Sequence, residues 1–452
     1  MSVSVELSEF GATTAPVAPA ERRRWDLRKR PLLPADDPFY RPPRTFAALE
    51  PGTVIRTRYV HVAALSVVPQ RIDAVQLLYR STDLDGHPEA AVTTVLLPRG
   101  ADPAVPRPVV AYQCAIDVVT SQGFPSYLLQ RGAKTLGSAV PIEFFFIGAA
   151  LRKGWAVVVT DHEGLDGRFG APREPGYRVL DGLRAAMNHG VIRSDVPVAA
   201  WGYSGGGMAT SWVVEMAGTY APEINLVGGV LGAPVGNPHN AFWRLNGTFH
   251  AGLAALVIAG IRPRYPALSA VIHDHVTLEG RRLLDLAGRL TTVGAILRLA
   301  HTDFDDYVDE PLKELLGTPE VVAVLDDLQL GTHKPSCPLL VVQPVHDQII
   351  SVTDVDGQVE RYISAGADVT YIRVQFAEHL SGLPLSVPTA LEWISARVQG
   401  RPTTPGIRTV WTFRSRPFAY ASLCATTVRM LIGLPITPVV SAGIGKLFRR
   451  FR

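Results

Sequence analysis

A serine between glycines follows a short apolar run near the middle of the chain. The segment Gly202-Tyr203-Ser204-Gly205-Gly206 fits the pattern G-x-S-x-G. A serine exposed on a sharp strand-to-helix turn needs small neighbours, because a Cβ at the flanking positions would clash there. The helix that follows would direct unpaired N–H groups toward a developing oxyanion. The pattern therefore predicts that Ser204 is a nucleophile.

A serine hydroxyl becomes a good nucleophile when a histidine accepts its proton and a carboxylate orients that histidine. Where this turn is used, the chain order is serine, acid, histidine. Asp347 follows the apolar run Leu339–Gln343, and His379 follows the next run, Thr370–Gln375. The separation of 32 residues fits one helix plus one strand. We therefore expect Ser204, Asp347 and His379 to converge.

Other acids and histidines compete for these roles. Asp354 and Asp356 follow Asp347 but fall in a predicted helix, where solvated side chains are expected. His346 precedes the last apolar run and would break the chain order. Three more histidines lie beside other turns or loops: His162, His189 and His333. The sequence also leaves open that His379 is a surface-loop residue and that Asp347 only caps a turn or helix.

The elements around these residues alternate between strand and helix. A β-rich start, with Thr53–Ala63, Val75–Tyr79 and Ala91–Leu97, precedes short Val/Ile/Leu runs separated by helical stretches such as Tyr177–Asn188 and Met208–Ala217. The runs are Pro108–Tyr112, Ala156–Thr160, Val196–Trp201, Leu226–Leu231, Leu339–Gln343 and Thr370–Gln375. Runs of this kind are typical of a mostly parallel sheet covered on both faces. We predict an α/β fold with its site at the carboxyl ends of the strands.

One interval breaks this rhythm. Residues 236–333 are mostly helical in pattern and contain no obvious sheet strand. They are interpreted as a helical cap over the carboxyl edge, or alternatively as a separate helical subdomain. The predicted organisation is a poorly ordered segment 1–35, a core in two parts at 36–235 and 334–400, the insertion 236–333, and a basic amphipathic extension 401–452.

Composition excludes several other classes of protein. The chain has 452 residues, of which 47% are hydrophobic and 19% charged, enough apolar material for a large core. The extension 401–452 holds nine of the 44 Lys and Arg and none of the 41 Asp and Glu, so the remainder is net acidic and has no broad basic surface. No nucleic-acid partner is expected. The cysteines, Cys114, Cys337 and Cys424, are scattered and indicate neither a disulfide framework nor a zinc site.

The extension fits two interpretations. It mixes aromatic and aliphatic residues with arginines and ends Lys446-Leu-Phe-Arg-Arg-Phe-Arg452, which suits a peripheral anchor on anionic lipid. It would equally suit an extra helix packed on the body with a solvated basic end. The run Met430–Gly445 is too short, and too interrupted by Pro435 and Pro438, for a membrane-spanning helix. The first thirty residues lack the apolar stretch of a secretory signal, so the compartment stays open, with membrane association or the cell envelope among the alternatives.

The chain as a whole resembles the secretory lipase family (Candida antarctica lipase A-like) of the α/β-hydrolase superfamily. The resemblance spans about residues 36–400. It rests on five stretches in order: Asp36–Tyr40, Asp161–Gly164, Leu180–Ala185, Gly202–Gly206 and Ala377–His379. The resemblance implies that Ser204, Asp347 and His379 form the triad.

The same resemblance implies an oxyanion hole and a cap. The loop from Ala111 to Tyr127 is similar to the family's oxyanion loop, and Asp117 falls on its aspartate. The backbone N–H groups of Asp117 and Gly205 would then bind the oxyanion. The insertion would enclose an acyl tunnel. This chain departs from the family in lacking its secretion signal and disulfide-compatible cysteine pairs, and in adding the cationic extension.

These observations predict a serine lipase or carboxylesterase that hydrolyses lipid-type carboxylic esters, triacylglycerol lipase-like, through an acyl-enzyme. No metal or organic cofactor is expected. Two alternatives are an acyltransferase that uses the same triad to pass the acyl group to an alcohol, and a non-enzymatic lipid-binding relative. Acyl chain length, alcohol group and oligomeric state are left open.

Overall fold

A ten-stranded sheet forms the centre of the computed structural model, which describes residues 30–413 and 417–436. Its order is β1-β4-β5-β7-β6-β8-β9-β10-β11-β12, and β2 and β3 pair separately. The strands are β1 Val54–Tyr59, β2 Ala63–Ala64, β3 Val68–Pro69, β4 Ile72–Thr82, β5 Pro88–Pro98, β6 Val109–Gln113, β7 Ala156–Thr160, β8 Val198–Tyr203, β9 Leu226–Gly232, β10 Leu339–Pro344, β11 Val369–Val374 and β12 Gly406–Val410.

Helices fill most of the connections between these strands. They are α1 Pro125–Leu128, α2 Val140–Arg152, α3 Glu174–Asn188, α4 Gly205–Tyr220, α5 Pro238–Leu245, α6 Ala251–Ile261, α7 Pro266–His275, α8 Leu278–Ala287, α9 Thr292–Arg298, α10 Leu312–Leu316, α11 Pro319–Asp327, α12 Val352–Ser364, α13 His379–Arg397 and α14 Pro417–Leu431. Short 3-10 helices lie at Pro38–Tyr40, Arg44–Ala48, Ser121–Gly123, Arg262–Arg264 and Phe304–Tyr307.

The sheet is parallel from β7 to β12 and antiparallel at its β1-β4-β5 edge, where β5 also meets β7 antiparallel. Successive residues of one strand enter opposite core layers. Val109 packs in the layer that holds α3 and α4, whereas its neighbour Val110 packs in the layer that holds α2 and α13. Both faces are therefore covered, which confirms the predicted α/β fold and its continuous apolar runs.

The predicted core boundary at residue 400 is wrong. Strand β12 lies beyond it and adds to the sheet edge, with Thr370 opposite Gly406 and Val374 opposite Val410. Its sequence, Gly-Ile-Arg-Thr-Val, is exposed along nearly its whole length, so it lacks the apolar run by which the central strands were predicted.

Helix α14 follows β12 and packs on α2, where the Met430 side chain fills the space that a Cβ on Gly148 would need. This contact fits the packed interpretation of the extension, while the interpretation as a peripheral anchor stays a prediction. The basic end, within residues 437–452, and residues 1–29 of the predicted disordered segment lie outside the described residues. None of the helices in the described part of the chain is long and apolar enough to cross a bilayer.

Helices α5 to α11 all lie between β9 and β10, although these two strands are direct neighbours in the sheet. The interval is helical, as its pattern predicts. Its helices enclose an apolar cavity of about 130 Å³. The lining includes Phe242, Leu268 and Phe304, and every lining residue belongs to this interval.

Candidate active site

Ser204 lies on a sharp turn between β8 and α4. Its φ of 57° and ψ of −124° are strained for a residue other than glycine. The turn is tight because the backbone at the end of β6 passes directly behind it. A Cβ on Gly206 would overlap the carbonyl oxygen of Gln113, and one on Gly202 would overlap the carbonyl oxygen of Gly206. The glycines of the motif are thus required by the close approach of backbone atoms.

The structure brings Ser204, His379 and Asp347 into one hydrogen-bonded chain. His379 Nδ1 lies 2.7 Å from Asp347 Oδ2, and its Nε2 lies 2.9 Å from Ser204 Oγ. Because an ionised carboxylate can only accept, Nδ1 carries the hydrogen and Nε2 is free to accept the serine proton. Asp347 and His379 are both buried, while Ser204 is partly exposed. The geometry therefore suits proton transfer from the hydroxyl to the imidazole.

Each member of this chain sits at the carboxyl end of a strand. Ser204 follows β8, Asp347 follows β10, and His379 follows β11 as the first residue of α13. The hydroxyl of Tyr203 donates to the backbone carbonyl of His379 at 2.8 Å and so helps to fix the position of His379. The variable position of the G-x-S-x-G motif gave no signal for this contact.

Asp347 is itself held by donors that sequence reasoning missed. Its Oδ1 accepts the backbone N–H groups of Ile349 and Ile350, both at 2.8 Å. Gln343 Nε2 donates to Oδ2 at 3.2 Å, and Arg244 of α5 donates to the backbone carbonyl at 2.6 Å. The polar Gln343 at the end of a Val/Leu strand was the available signal. Nothing in the local sequence pointed to Arg244.

The competing acids have other partners. Asp354 accepts a hydrogen bond from Asn240, and Asp356 accepts from Tyr371 and Arg373. Both lie in α12, as predicted, but the expectation of a solvated side chain is wrong for Asp354, which is buried by its packing at the start of this helix.

The competing histidines likewise lie elsewhere. His346 is exposed, His189 is at the end of α3, and the ring of His333 lies 3.0 Å from the Thr332 hydroxyl. His162 is buried and points to the carbonyl of Cys114. Among the described histidines, the ring that contacts Ser204 Oγ is that of His379.

Asp117 and Gly205 are neighbours, as the family resemblance implied, but the Asp117 amide is engaged. Its N–H donates to Glu163 Oε1 at 3.2 Å. Its carboxyl Oδ1 is buried and has no hydrogen-bond partner among the described residues, and a Cβ on Gly205 would overlap it. Burial raises the pKa of Asp117 to about 6, partly offset by the nearby His379. Asp117 also has a positive φ of 48°, an uncommon conformation for a residue with a side chain.

Three consecutive side chains after β7 hold the loop that follows β6. The Asp161 carboxylate accepts the backbone N–H of Ser126 at 2.9 Å and also its hydroxyl. The ring Nε2 of His162 donates to the carbonyl of Cys114 at 2.9 Å. Glu163 accepts the backbone N–H of Asp117, which lies between Cys114 and Ser126 in the chain. Sequence reasoning noted this segment only as a family match. Its signal was a run of ionisable residues directly after a buried strand.

Burial dominates the electrostatics of this segment. It raises the pKa of Asp161 to about 7 and that of Glu163 well above its usual range, and it lowers the pKa of His162 to about 4. His162 is therefore a neutral donor near neutral pH.

Arg178 of α3 ties this loop to the body of the protein. Its side chain is fully buried and donates to the carbonyl of His162 at 3.0 Å. Its charge is compensated by Glu89 and Glu174, both at 2.7 Å.

A buried glutamate beneath the oxyanion loop makes stability depend on pH. Glu143 accepts the hydroxyl of Tyr112 and the N–H of Ala115, both at 3.0 Å, and burial raises its pKa to about 8. Between about pH 4.3, where an unfolded glutamate ionises, and pH 8, the folded state holds a proton that the unfolded state has lost. Stability is therefore expected to fall as pH rises through this window.

Glu143→Gln should remove this contribution, because a neutral amide can accept from Ala115 and donate to Tyr112. Urea titrations from pH 5 to 8 are expected to show a slope shallower by about 1 kcal/mol per pH unit than in the wild type. Glu50→Gln, at an exposed glutamate, is the matched control. An unchanged slope in Glu143→Gln would mean that Glu143 is already ionised in the folded protein.

The family model described as secretory lipase matches residues 129–406, which is more than half of the chain. The chain belongs to the secretory lipase family. This lipase-family chain also resembles "Probable inactive lipase MT1628" of Mycobacterium tuberculosis (strain CDC 1551 / Oshkosh), with 49% identity over 88% of the chain and 90% of the relative.

Two further matches agree. "Secreted triacylglycerol lipase LIP3" of Malassezia restricta is 30% identical over 83% of the chain and 82% of its own length. The X-ray structure of Candida antarctica lipase A superposes with a TM-score of 0.79 at 27% identity, covering 91% of this chain and all of that one. The α/β-hydrolase fold is thereby confirmed, and the family is one of lipases and esterases.

Two groups of described residues are close enough to share a metal ion: Asp83 with Asp85 and His87, and His275 with Asp309 and Glu310. Asp83 and Asp85 already pair with Arg264, at 3.2 and 2.6 Å. Neither group contains Ser204, Asp347 or His379.

Proposed function

We propose that this member of the secretory lipase family hydrolyses carboxylic esters of lipid type through an acyl-enzyme on Ser204. The observation that carries the proposal is the continuous hydrogen-bonded relay, 2.9 Å from Ser204 Oγ to His379 Nε2 and 2.7 Å from Nδ1 to Asp347. Ser204 is the nucleophile, His379 the general base and Asp347 the residue that orients it.

The reaction proceeds in two halves. Ser204 Oγ attacks the ester carbonyl carbon while its proton passes to His379 Nε2, and the carbonyl oxygen becomes an oxyanion. The oxyanion collapses, the bond to the alcohol breaks, and His379 returns its proton to the leaving oxygen. Water then attacks the acyl-enzyme with His379 again as base, which releases the acid and restores Ser204. Asp347 stays ionised throughout and stabilises the imidazolium.

The backbone N–H groups of Gly205 and Asp117 are proposed to bind the oxyanion. Gly205 begins α4, so its N–H lies at the positive end of the helix. The Asp117 N–H is shared with Glu163 at 3.2 Å, a long bond that the developing oxyanion can replace. Burial favours the neutral form of Glu163, which weakens its competition for this donor.

The helical insertion is proposed to be the cap that receives the acyl chain. It supplies Arg244, which donates to the Asp347 carbonyl, so its first helix abuts the triad. Its interior holds the apolar cavity of about 130 Å³, large enough for a short stretch of hydrocarbon. The printed name of the Malassezia relative, a triacylglycerol lipase, supports a lipid-type ester.

The relative with the name "Probable inactive lipase MT1628" makes a direct activity test necessary. A fluorophosphonate probe should label the native protein at Ser204, identified by peptide mass spectrometry, and should fail to label the heat-unfolded protein. A panel of p-nitrophenyl esters and triglycerides of graded chain length then defines the acyl preference. A competing alcohol, with product analysis, separates hydrolysis from acyl transfer. Absence of both labelling and turnover would reject the proposal in favour of lipid binding alone.

A further inference from the structure

The solvent-facing side of α14 is apolar. Phe418, Ala421, Ala425, Val428 and Ile432 recur at intervals of three and four residues, which places them on one face of the helix. All five are exposed, Phe418 at 86%. Ile432 continues the stripe just past the helix, because its N–H still donates to the carbonyl of Val428. A surface helix normally shows the reverse pattern, with polar residues outward.

The opposite side of α14 is fixed to the body, so the helix cannot rotate to hide this stripe. Thr426 and Met430 are buried against α2, and Arg152 donates to the Thr426 hydroxyl at 2.9 Å. Gln70 donates to the carbonyl of Met430 at 2.8 Å. Arg429, the charged residue of the helix, donates to the carbonyl of Pro435 at 2.8 Å. We call the five exposed residues the outer face of α14.

A second exposed apolar group lies at the site end of the neighbouring helix α13. Phe376 and Trp411 stack with ring centroids 5.3 Å apart. Leu380, four residues after Phe376 in the chain, is also exposed. His379, the proposed base, lies between Phe376 and Leu380 in the chain. The intervening Glu378 uses its carboxylate to cap α13, accepting the N–H of Leu380 at 3.0 Å. The two helices touch, since the Tyr420 hydroxyl of α14 donates to the Leu385 carbonyl of α13 at 3.0 Å.

The charge of this region indicates what covers the outer face. Residues 401–452 contain nine Lys and Arg and no Asp or Glu, and four of the nine lie in the final segment 446–452. An apolar helix face with cationic flanks is the pattern of a helix that lies at the headgroup level of an anionic lipid layer. A partner protein would need acidic side chains and apolar pockets that match this surface in position. An anionic bilayer offers negative headgroups and an apolar interior everywhere on its surface.

We propose that the outer face of α14 docks this protein on an anionic lipid layer, with the Phe376–Trp411 pair as a second contact. The docking brings α13, and hence the His379 end of the site, toward the layer that holds lipid esters. The choice of a lipid layer as occupant rests in part on the proposed function, because the proposed substrates reside there. The docking itself requires no catalysis.

The test uses the full chain and sedimentation with vesicles of phosphatidylcholine alone or mixed in equal parts with phosphatidylglycerol. The wild type is expected to bind the mixed vesicles more tightly, and high salt should weaken this binding. The variant F418Q/V428Q/I432Q keeps the charge and should lower the partition coefficient at least about tenfold, since three apolar side chains are lost from the contact. The matched control is V105Q/L278Q/I363Q, at exposed apolar residues elsewhere.

Each outcome of these experiments either supports or overturns the proposed docking on lipid. Equal binding by the wild type and the outer-face variant, or no binding of the wild type to mixed vesicles, overturns the proposal. A wild-type dimer in lipid-free sedimentation velocity that the variant loses would assign the face to a second copy instead. Both proteins are also assayed on a soluble short-chain ester, where they should be equal. If neither hydrolyses it, the proposed function fails while the vesicle result still stands.

Discussion

Hydrolysis of a soluble ester is expected to fall by about 10⁶-fold in kcat when Ser204 is replaced by alanine, the scale of loss when a serine nucleophile is removed from a complete triad. The substitution deletes the atom that is proposed to form the acyl-enzyme, while His379 and Asp347 keep their mutual bond of 2.7 Å. Alanine fits the turn sterically because it is smaller than serine. Initial rates at saturating p-nitrophenyl ester measure the effect.

Ser211→Ala is the matched control for this prediction. Ser211 is a buried serine two turns along the same helix, α4, and its hydroxyl donates to the carbonyl of Gly207. Its removal should leave kcat within a factor of about two, as expected when no reacting group is touched. Residual activity in Ser204→Ala near the wild-type level would show that another residue performs the reaction.

Replacing Asp347 by asparagine is expected to lower kcat by about 10⁴-fold while the fold stays intact. Oδ1 accepts the N–H groups of Ile349 and Ile350, so the asparagine must keep its carbonyl oxygen there. Its NH₂ group then replaces Oδ2 and donates to His379 Nδ1. The imidazole is forced to carry its hydrogen on Nε2, where it can no longer accept the serine proton.

Asp356→Asn controls for the loss of one carboxylate. Asp356 lies in α12, pairs with Arg373 and takes no part in the relay, so kcat should not change. The comparison is made on kcat and on fluorophosphonate labelling rate, which both depend on the serine proton acceptor. A loss of less than tenfold in Asp347→Asn would mean that the orientation of His379 is set mainly by the Tyr203 contact to its backbone.

The convergence of Ser204, His379 and Asp347 could be predicted from sequence because each of these residues belongs to a local pattern. Ser204 stands in a glycine motif that a tight turn requires, and Asp347 and His379 each follow an apolar strand. Parallel strands end at one edge of a sheet, so residues that directly follow them converge whatever lies between. The long insertion between Ser204 and Asp347 therefore did not disturb the prediction.

Other features depend on contacts between distant segments. The backbone N–H of Asp117, after β6, donates to Glu163, which follows the neighbouring strand β7. Arg244 of the insertion donates to the backbone carbonyl of Asp347. No local pattern announces either contact, since each partner is an ordinary polar residue in its own segment. Strand β12 was missed for a related reason: an exposed edge strand is held by backbone hydrogen bonds to its neighbour, and these place little demand on side chains.

By itself, the sequence determined the α/β class and the strand ends at which Ser204, Asp347 and His379 lie, because these follow from residue type and local period. The tertiary structure alone decided which donors hold Asp347, which acceptor meets the Asp117 amide, and which side of α14 faces outward. An apolar stripe has the same period whether it is buried or exposed. Only the packing of Met430 and Thr426 against α2 shows that the Phe418 side of the helix is the one left uncovered.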